Sequence, residues 1–278
     1  MKAVLFIGHG SRKQKGNQDI IDFVETMKQS IEVPIVETAF LEFAAPAITD
    51  GIEACVRRGA DEVAIVPIMF FPAGHSKIHI PQAIDKAKAA YPWVRFRYGR
   101  PIGIHPEIVH ILVEKLTTET NLRSEEPSET AILLVGRGSS DADANSELYK
   151  LARLLSEQLD HQLVETSYIG VTTPTVEEAV SRLSLLRKKR IILVPYFFFS
   201  GILVDRSDEK LADFEKEYPD IAFSMTEPIG FHPRLEIILR ERAEEALQGK
   251  ASLNCDVCQY RLFALEHMDI HHHHDHEH

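Results

Sequence analysis

Three separated segments carry residue types that could hold a metal ion and move protons. Gly8-His9-Gly10-Ser11-Arg12 ends one apolar run, Glu42 ends a second, and Gly74-His75-Ser76-Lys77 follows a third. Two neutral imidazoles and a carboxylate suit a first-row divalent ion and leave coordination positions open for exchange. The same groups accept protons near neutral pH. Each residue also has a plainer reading. His9 could brace a tight turn, Glu42 could cap a helix or stay solvated, and His75 could be an ordinary polar loop residue. Their joint position at the ends of consecutive apolar runs is what favours chemistry.

The surrounding pattern says which elements must position them. Residues 2–7 form a short apolar run closed by Gly8, the pattern of a buried strand. Residues 17–30 carry Ile20, Ile21, Phe23, Val24 and Met27 at helical spacing. A second strand is expected over 34–41, followed by a helix opened by Pro46 and closed by Gly59. A third strand is expected over 62–70, then a loop holding Gly74 and His75, then a helix near 80–90 ending before Pro92. A weaker strand near 94–98 and a helix from Pro106 to about Thr118 complete the unit. Such alternation implies an α/β fold with a mostly parallel sheet flanked by helices. Ligands of such sheets gather beyond the carboxyl ends of the strands. His9, Glu42 and His75 are therefore expected to meet at one edge.

The chain then repeats itself. Lys2 to Ser11 matches Thr130 to Ser139, Val63 to Phe71 matches Ile191 to Phe199, and Pro101 to Pro106 matches Pro228 to Pro233. The expected organisation is one domain over 1–120, an acidic linker from Thr117 to Glu129, a similar domain over 130–248, and a Cys/His-rich tail over 249–278. Where the first copy has His9, Glu42 and His75, the second has Arg137, Gly170 and Ile202 or Leu203. The first copy is thus expected to carry the chemistry. Gly8-His9-Gly10 is not a dinucleotide fingerprint, because Lys13 stands where the third glycine belongs. Backbone N–H groups at Gly10 and Ser11, with Ser76 and the cations Arg12, Lys77, Arg137 and Arg206, are candidates for holding an anionic substrate. The alternative for each cation is plain surface charge. Met69-Phe70-Phe71 and Tyr196 to Phe199 could present apolar faces to a flat ligand or lie in buried strands.

Bulk properties narrow the function class. The 278 residues are 44% hydrophobic, enough for packed cores, and carry a net charge of −11, which argues against a nucleic-acid footprint. No apolar run reaches membrane-spanning length, and the first residues do not read as a signal peptide. Three cysteines make no disulfide framework, so a soluble protein of a reducing cytoplasm is expected. Cys55 falls in an expected helix and reads as core. Cys255 and Cys258 form a Cys-x-x-Cys pair, a candidate cluster or second metal site. His271, His272, His273, His274, His276 and His278 read as a metal-collecting tail; Asp275 and Glu277 interrupt it, unlike a purification tag.

Insertion of a divalent ion into a free-base tetrapyrrole needs a weak metal site and proton acceptors together. In this respect Phe6-Ile7-Gly8-His9-Gly10-Ser11-Arg12, Phe40-Leu41-Glu42 and the stretch from Pro67 through Gly74-His75-Ser76 resemble the signature of the sirohydrochlorin chelatases. These are ATP-independent lyases that insert cobalt for cobalamin or iron for sirohaem. The resemblance covers about residues 2–247. It implies two chelatase-like domains related by duplication and an active site in the cleft between them. It also implies that His9 and His75 bind metal or accept protons, with Glu42 assisting, and that sirohydrochlorin and Co2+ or Fe2+ are the partners. A monomer or homodimer is expected, with neither nucleic acid nor membrane. The tail resembles long cobaltochelatases with an iron–sulfur cluster, although Leu253 stands where those have methionine and two thiolates cannot complete a four-thiolate cluster. Two other readings stay open: a metal-trafficking protein working through its tail, and a chelatase for a different tetrapyrrole.

Overall fold

The apolar run after Met1 is the inner strand of a sheet. In the computed structural model, Ala3 to Ile7 of β1 (Lys2–Gly8) are fully buried, as an inner strand covered on both faces must be. The structure describes residues 1–72, 74–122, 128–160, 162–198 and 207–250, and the side chains of 74–76, 207 and 208 fall outside that description. Strands β2 (Ile35–Phe40) and β3 (Glu62–Ile68) flank β1 in parallel, and β4 (Arg95–Tyr98) pairs with β3, giving the order β2-β1-β3-β4. Gly8 is in register with Phe40 on one side and Ile68 on the other. The carboxyl ends of these three strands therefore stop at one level.

The helices of this sheet are α1 (Gln14–Met27), extended by a 3-10 turn at Lys28–Ser30, α2 (Ile48–Arg57) and α3 (Gly74–Ala90). Ala3, Leu5 and Ile7 share one core cluster with Ile48, Ile52 and Cys55 of α2 and Ile80, Ile84 and Ala87 of α3. Each fully buried Leu or Ile contributes about 1.5–3 kcal/mol. On α1, Ile20, Val24 and Met27 are buried, following the 3.6-residue repeat.

Two boundaries differ from the sequence expectation. Pro46 does not open α2, because its carbonyl accepts a hydrogen bond from the Phe40 N–H at 2.8 Å, an extra rung beside β2 that holds the chain extended. The helix starts two residues later, where the N–H of Ala47 donates to Asp50 Oδ2 at 2.9 Å. The segment Gly74-His75-Ser76-Lys77 is not a loop but the first turn of α3, which runs through Pro81. Proline cannot supply the i→i−4 hydrogen bond, so the sequence pattern places a helix start next to it instead of upstream.

The second copy builds the same sheet. It comprises β5 (Thr130–Gly136), α5 (Ala142–Gln158), β6 (Leu163–Tyr168), α6 (Val176–Leu185), β7 (Arg190–Pro195), α7 (Ser207–Glu217) and β8 (Ala222–Met225), with strand order β6-β5-β7-β8. Two helices remain, α4 (Pro106–Thr120) and α8 (Arg234–Leu247). The duplicated α/β architecture expected from the sequence is present. No helix of the described residues is long and apolar enough to cross a membrane.

The compact units do not follow the repeat. One is Met1–Pro101 with the chain from Leu239 onward; the other is Ile102–Ile238. Helix α4, last of the first copy, is fastened within the second unit. Arg190 Nη2 donates to the Thr120 carbonyl at 2.9 Å, the Glu227 N–H donates to Glu119 Oε2 at 2.8 Å, and Arg234 pairs with Glu107 at 2.7 Å. The second half of α8 is fastened within the first unit. Buried Arg242 donates to the Pro101 carbonyl at 3.0 Å, and Arg100 grips Glu245 through Nε at 3.1 Å and Nη2 at 2.6 Å. Helix α4 and the second half of α8 thus pack in units other than those of their own repeats.

Candidate functional site

His9 is the first residue past β1 and Glu42 the second past β2. Their strands stay zipped beyond the formal ends: the Leu41 N–H donates to the Gly8 carbonyl at 2.9 Å, and the Glu42 N–H donates to the His9 carbonyl at 3.0 Å. Gly10 then turns away with φ +88°, a left-handed conformation suited to glycine. This pairing sets the two side chains next to each other, with His9 Nδ1 3.3 Å from Glu42 Oε1. About a third of each side chain is exposed, so the pair is open to solvent and ligand. Two chemistries fit. Two ligand atoms about 2.0–2.1 Å from one tetrahedral ion sit roughly this far apart. Alternatively, a carboxylate beside Nδ1 holds the proton there and sets Nε2 as the nitrogen with the lone pair.

The third expected ligand is His75. Its backbone is the second residue of α3, and α3 follows β3, whose end is level with Gly8. The side chains of His75 and Ser76 lie outside the described residues. Among the described residues no group of three His, Cys, Asp or Glu side chains is gathered to hold a metal. Lys77 follows in the same first turn of α3.

Ser11 has its hydrogen bonds committed inside the loop. Its N–H donates to Asn17 Oδ1 at 2.7 Å, its carbonyl accepts from Asn17 Nδ2 at 2.7 Å, and its Oγ accepts from the Lys13 N–H at 3.1 Å. The second unit repeats this lock with Ser139 and Asn145 at 3.0 and 2.8 Å, where Arg137 and Gly170 replace the imidazole and carboxylate. Ser11 and Asn17 therefore shape the loop that carries His9. Asn17 has a sequence signal: Asn145 stands at the same offset from the matching serine.

Arg12 lies with its guanidinium carbon 5.1 Å from the centre of the Phe43 ring. Phe43 itself is a positive-φ residue (60°) and 55% exposed, features that neither composition nor periodicity signals. In the second unit, Arg137 is exposed after β5, and nothing lies within 4 Å of where a Cβ on Gly170 would stand. The turn has the same shape in both copies, including Gly138 at φ +87°, without the imidazole or the carboxylate.

Other expected contributors are placed elsewhere. Met69 and Phe70 are buried, and Met69 belongs to the core cluster, so neither offers a face to a macrocycle. Tyr196 is buried as well. Cys55 is a core thiol that burial pushes up to about 12, out of reach of metal chemistry at neutral pH. Arg206, Cys255, Cys258 and the histidines from His271 onward lie outside the described residues.

Comparison with known proteins adds to this geometry. A family model described as CbiX matches the chain twice, over residues 3–119 and 131–246. A protein of Priestia megaterium named sirohydrochlorin cobaltochelatase is 51% identical over 273 residues, covering 98% of this chain and 88% of that protein. A sirohydrochlorin ferrochelatase of the same organism is 36% identical over 260 residues, covering 94% and 96%. The solved structure of SirB from Bacillus subtilis with Fe3+ superposes with a TM-score of 0.80 at 32% identity, covering 90% of this chain and 98% of that one.

Proposed function

The chain belongs to the CbiX family, and on that premise we propose that it inserts a divalent metal ion into sirohydrochlorin, releasing two protons. The observation that carries this reading is the His9–Glu42 pair, 3.3 Å apart and open to solvent at the carboxyl edge of the first sheet. We assign cobalt as the first ion, because the relative at 51% identity bears the cobaltochelatase name and the ferrochelatase relative stands at 36%. Iron is the second reading, supported by that relative and by the Fe3+ seen with SirB.

In this scheme His9 and Glu42, with His75 from the start of α3, ligate the incoming ion through a few exchangeable bonds. The set is open, which suits delivery better than storage. As the ion enters the ring, the pyrrole protons need acceptors, and the imidazole lone pair at His9 Nε2 is one. Glu42 stabilises the resulting imidazolium from the Nδ1 side. Gly10, Arg12, Ser76 and Lys77 are the substrate contacts in this scheme, and Ser11 acts through the loop; Arg137 belongs to the other unit. A cytoplasmic location fits such an enzyme, and Cys255 with Cys258 would hold a cluster or a second metal.

The test is metallation of sirohydrochlorin by the full-length protein under anaerobic conditions, with Co2+ and Fe2+ supplied separately and the product followed by absorbance and mass. Faster turnover with Co2+ supports the assignment. Wild-type turnover by both His9→Ala and His75→Ala would remove this site from the reaction.

A further inference from the structure

The loop after β2 carries a side chain that the metal chemistry does not use. Phe43 follows Glu42 directly, with φ 60°. A non-glycine residue there is uncommon, and asparagine or aspartate tolerates the conformation better than an aromatic. The matching residue of the second unit, Val171, has φ 69°. The backbone form is therefore set by the loop, which in both units is tied back by a proline carbonyl: Phe40 N–H to Pro46 at 2.8 Å, and Tyr168 N–H to Pro174 at 2.9 Å. What differs between the units is the cargo at that position.

In the first unit the position holds an aromatic ring, 55% exposed, with the Arg12 guanidinium 5.1 Å from its centre. In the second unit the corresponding residues are Val171 and Ser140, with neither ring nor cation. The ligand pair follows the same division, His9 and Glu42 against Arg137 and Gly170. A singly exposed apolar residue needs no explanation. Val171 is exposed too (74%), so exposure and backbone form are common to both loops; the aromatic ring and its paired cation, which of the two loops only the one beside His9 and Glu42 carries, point to a ligand. The matching chemistry is a flat conjugated ring with peripheral carboxylates: the phenyl face stacks on the π-system, and the guanidinium meets an acid group.

We propose that Phe43, backed by Arg12, is the platform on which the tetrapyrrole stacks, holding its centre over the His9–Glu42 pair. This rests on the reading that metal enters at that pair. Phe43 touches the macrocycle and takes no part in proton transfer. Its loss weakens tetrapyrrole binding and leaves metal binding unchanged.

The experiment is titration of metal-free sirohydrochlorin into the full-length protein, read by the fluorescence of the macrocycle, alongside thermal melting. Phe43→Gly relieves the positive φ and removes the ring, so Kd should rise at least tenfold with Tm at or above wild type. Phe43→Leu should also raise Kd at least fivefold, and Phe43→Trp should return it to within threefold of wild type. Val171→Gly should leave Kd unchanged. A Phe43→Gly or Phe43→Leu protein with Kd within twofold of wild type would overturn the proposal. His9→Ala separates the two readings: it should bind the macrocycle normally without metallating it, whereas wild-type metallation by His9→Ala would sink the site and not the platform.

Discussion

Gly10 and Glu42 are in such close backbone contact that position 10 admits no side chain. A Cβ there would stand 2.9 Å from the Glu42 carbonyl carbon and overlap its oxygen. The glycine thus brings the β2 loop against the β1 loop, and that approach sets the distance between the imidazole and the carboxylate.

Gly10→Ala should therefore cost about 2–4 kcal/mol, from overlap and from positive φ together, and should lower metallation at least tenfold. Gly138→Ala is the control. Its Cβ would overlap the Gly170 carbonyl in the same way, at φ +87°. It should lose similar stability while the folded fraction keeps its turnover. Chemical denaturation and single-turnover rates on the two variants check this.

His9→Ala and Glu42→Gln should each lower kcat/KM for metallation by about 100-fold or more, with Tm close to wild type because both side chains are partly exposed and outside the core. Equal turnover by wild type and either variant at saturating metal would contradict the assigned roles.

The second unit offers a constructive test. Gly170 has open space around it and its turn matches that of the first unit. The double variant Arg137→His, Gly170→Glu should rebuild an imidazole–carboxylate pair there. Calorimetry with Co2+ should show one additional weak site compared with wild type, and neither single variant should show it.

Glu245 lies between Arg100 and buried Arg242, at 2.6 and 3.1 Å. Burial acts to raise its carboxyl pKa, but the hydrogen bond from Arg100 and the charges of Arg242 and Arg100 outweigh burial and hold it below its ordinary range. Glu107 is also lowered, chiefly by the hydrogen bond from Arg234. Both folded-state values lie below the unfolded one, so their stabilisation is complete above the unfolded carboxyl pKa of about 4.3. It is lost as pH falls through the depressed folded values. Glu245→Gln should cost about 2 kcal/mol, roughly 4–8 °C in Tm, and should flatten the acid limb of a Tm-against-pH curve.

The parts of this fold legible in the sequence are those that a local rule enforces. A strand buried on both faces must be apolar throughout, so β1 shows as Ala3 to Ile7. A left-handed turn favours glycine, so Gly10 and Gly138 mark both copies. That His9 and Glu42 share one edge follows from strand adjacency, and the glycine at position 10 sets how closely they approach. Other features depend on the path of the chain. The amphipathic stripe of α4 records that one side is buried, and carries no mark of which sheet buries it. The start of α3 is hidden because its first turn is polar and a proline lies inside the helix. Phe43 is hidden because the strain at a non-glycine positive φ has no compositional trace.

The placement of α4 and α8 has a consequence for the order in which the protein is made. The first sheet leaves the ribosome early, yet the segment that covers it beyond Pro101 begins at Leu239. Throughout synthesis of the second copy, that sheet waits with its flank near Gly99 unprotected, where Ala246 will finally pack. Completion of the first unit therefore waits until Leu239–Leu247 has been translated, and a nascent chain stalled before that point should expose apolar surface to chaperones and proteases.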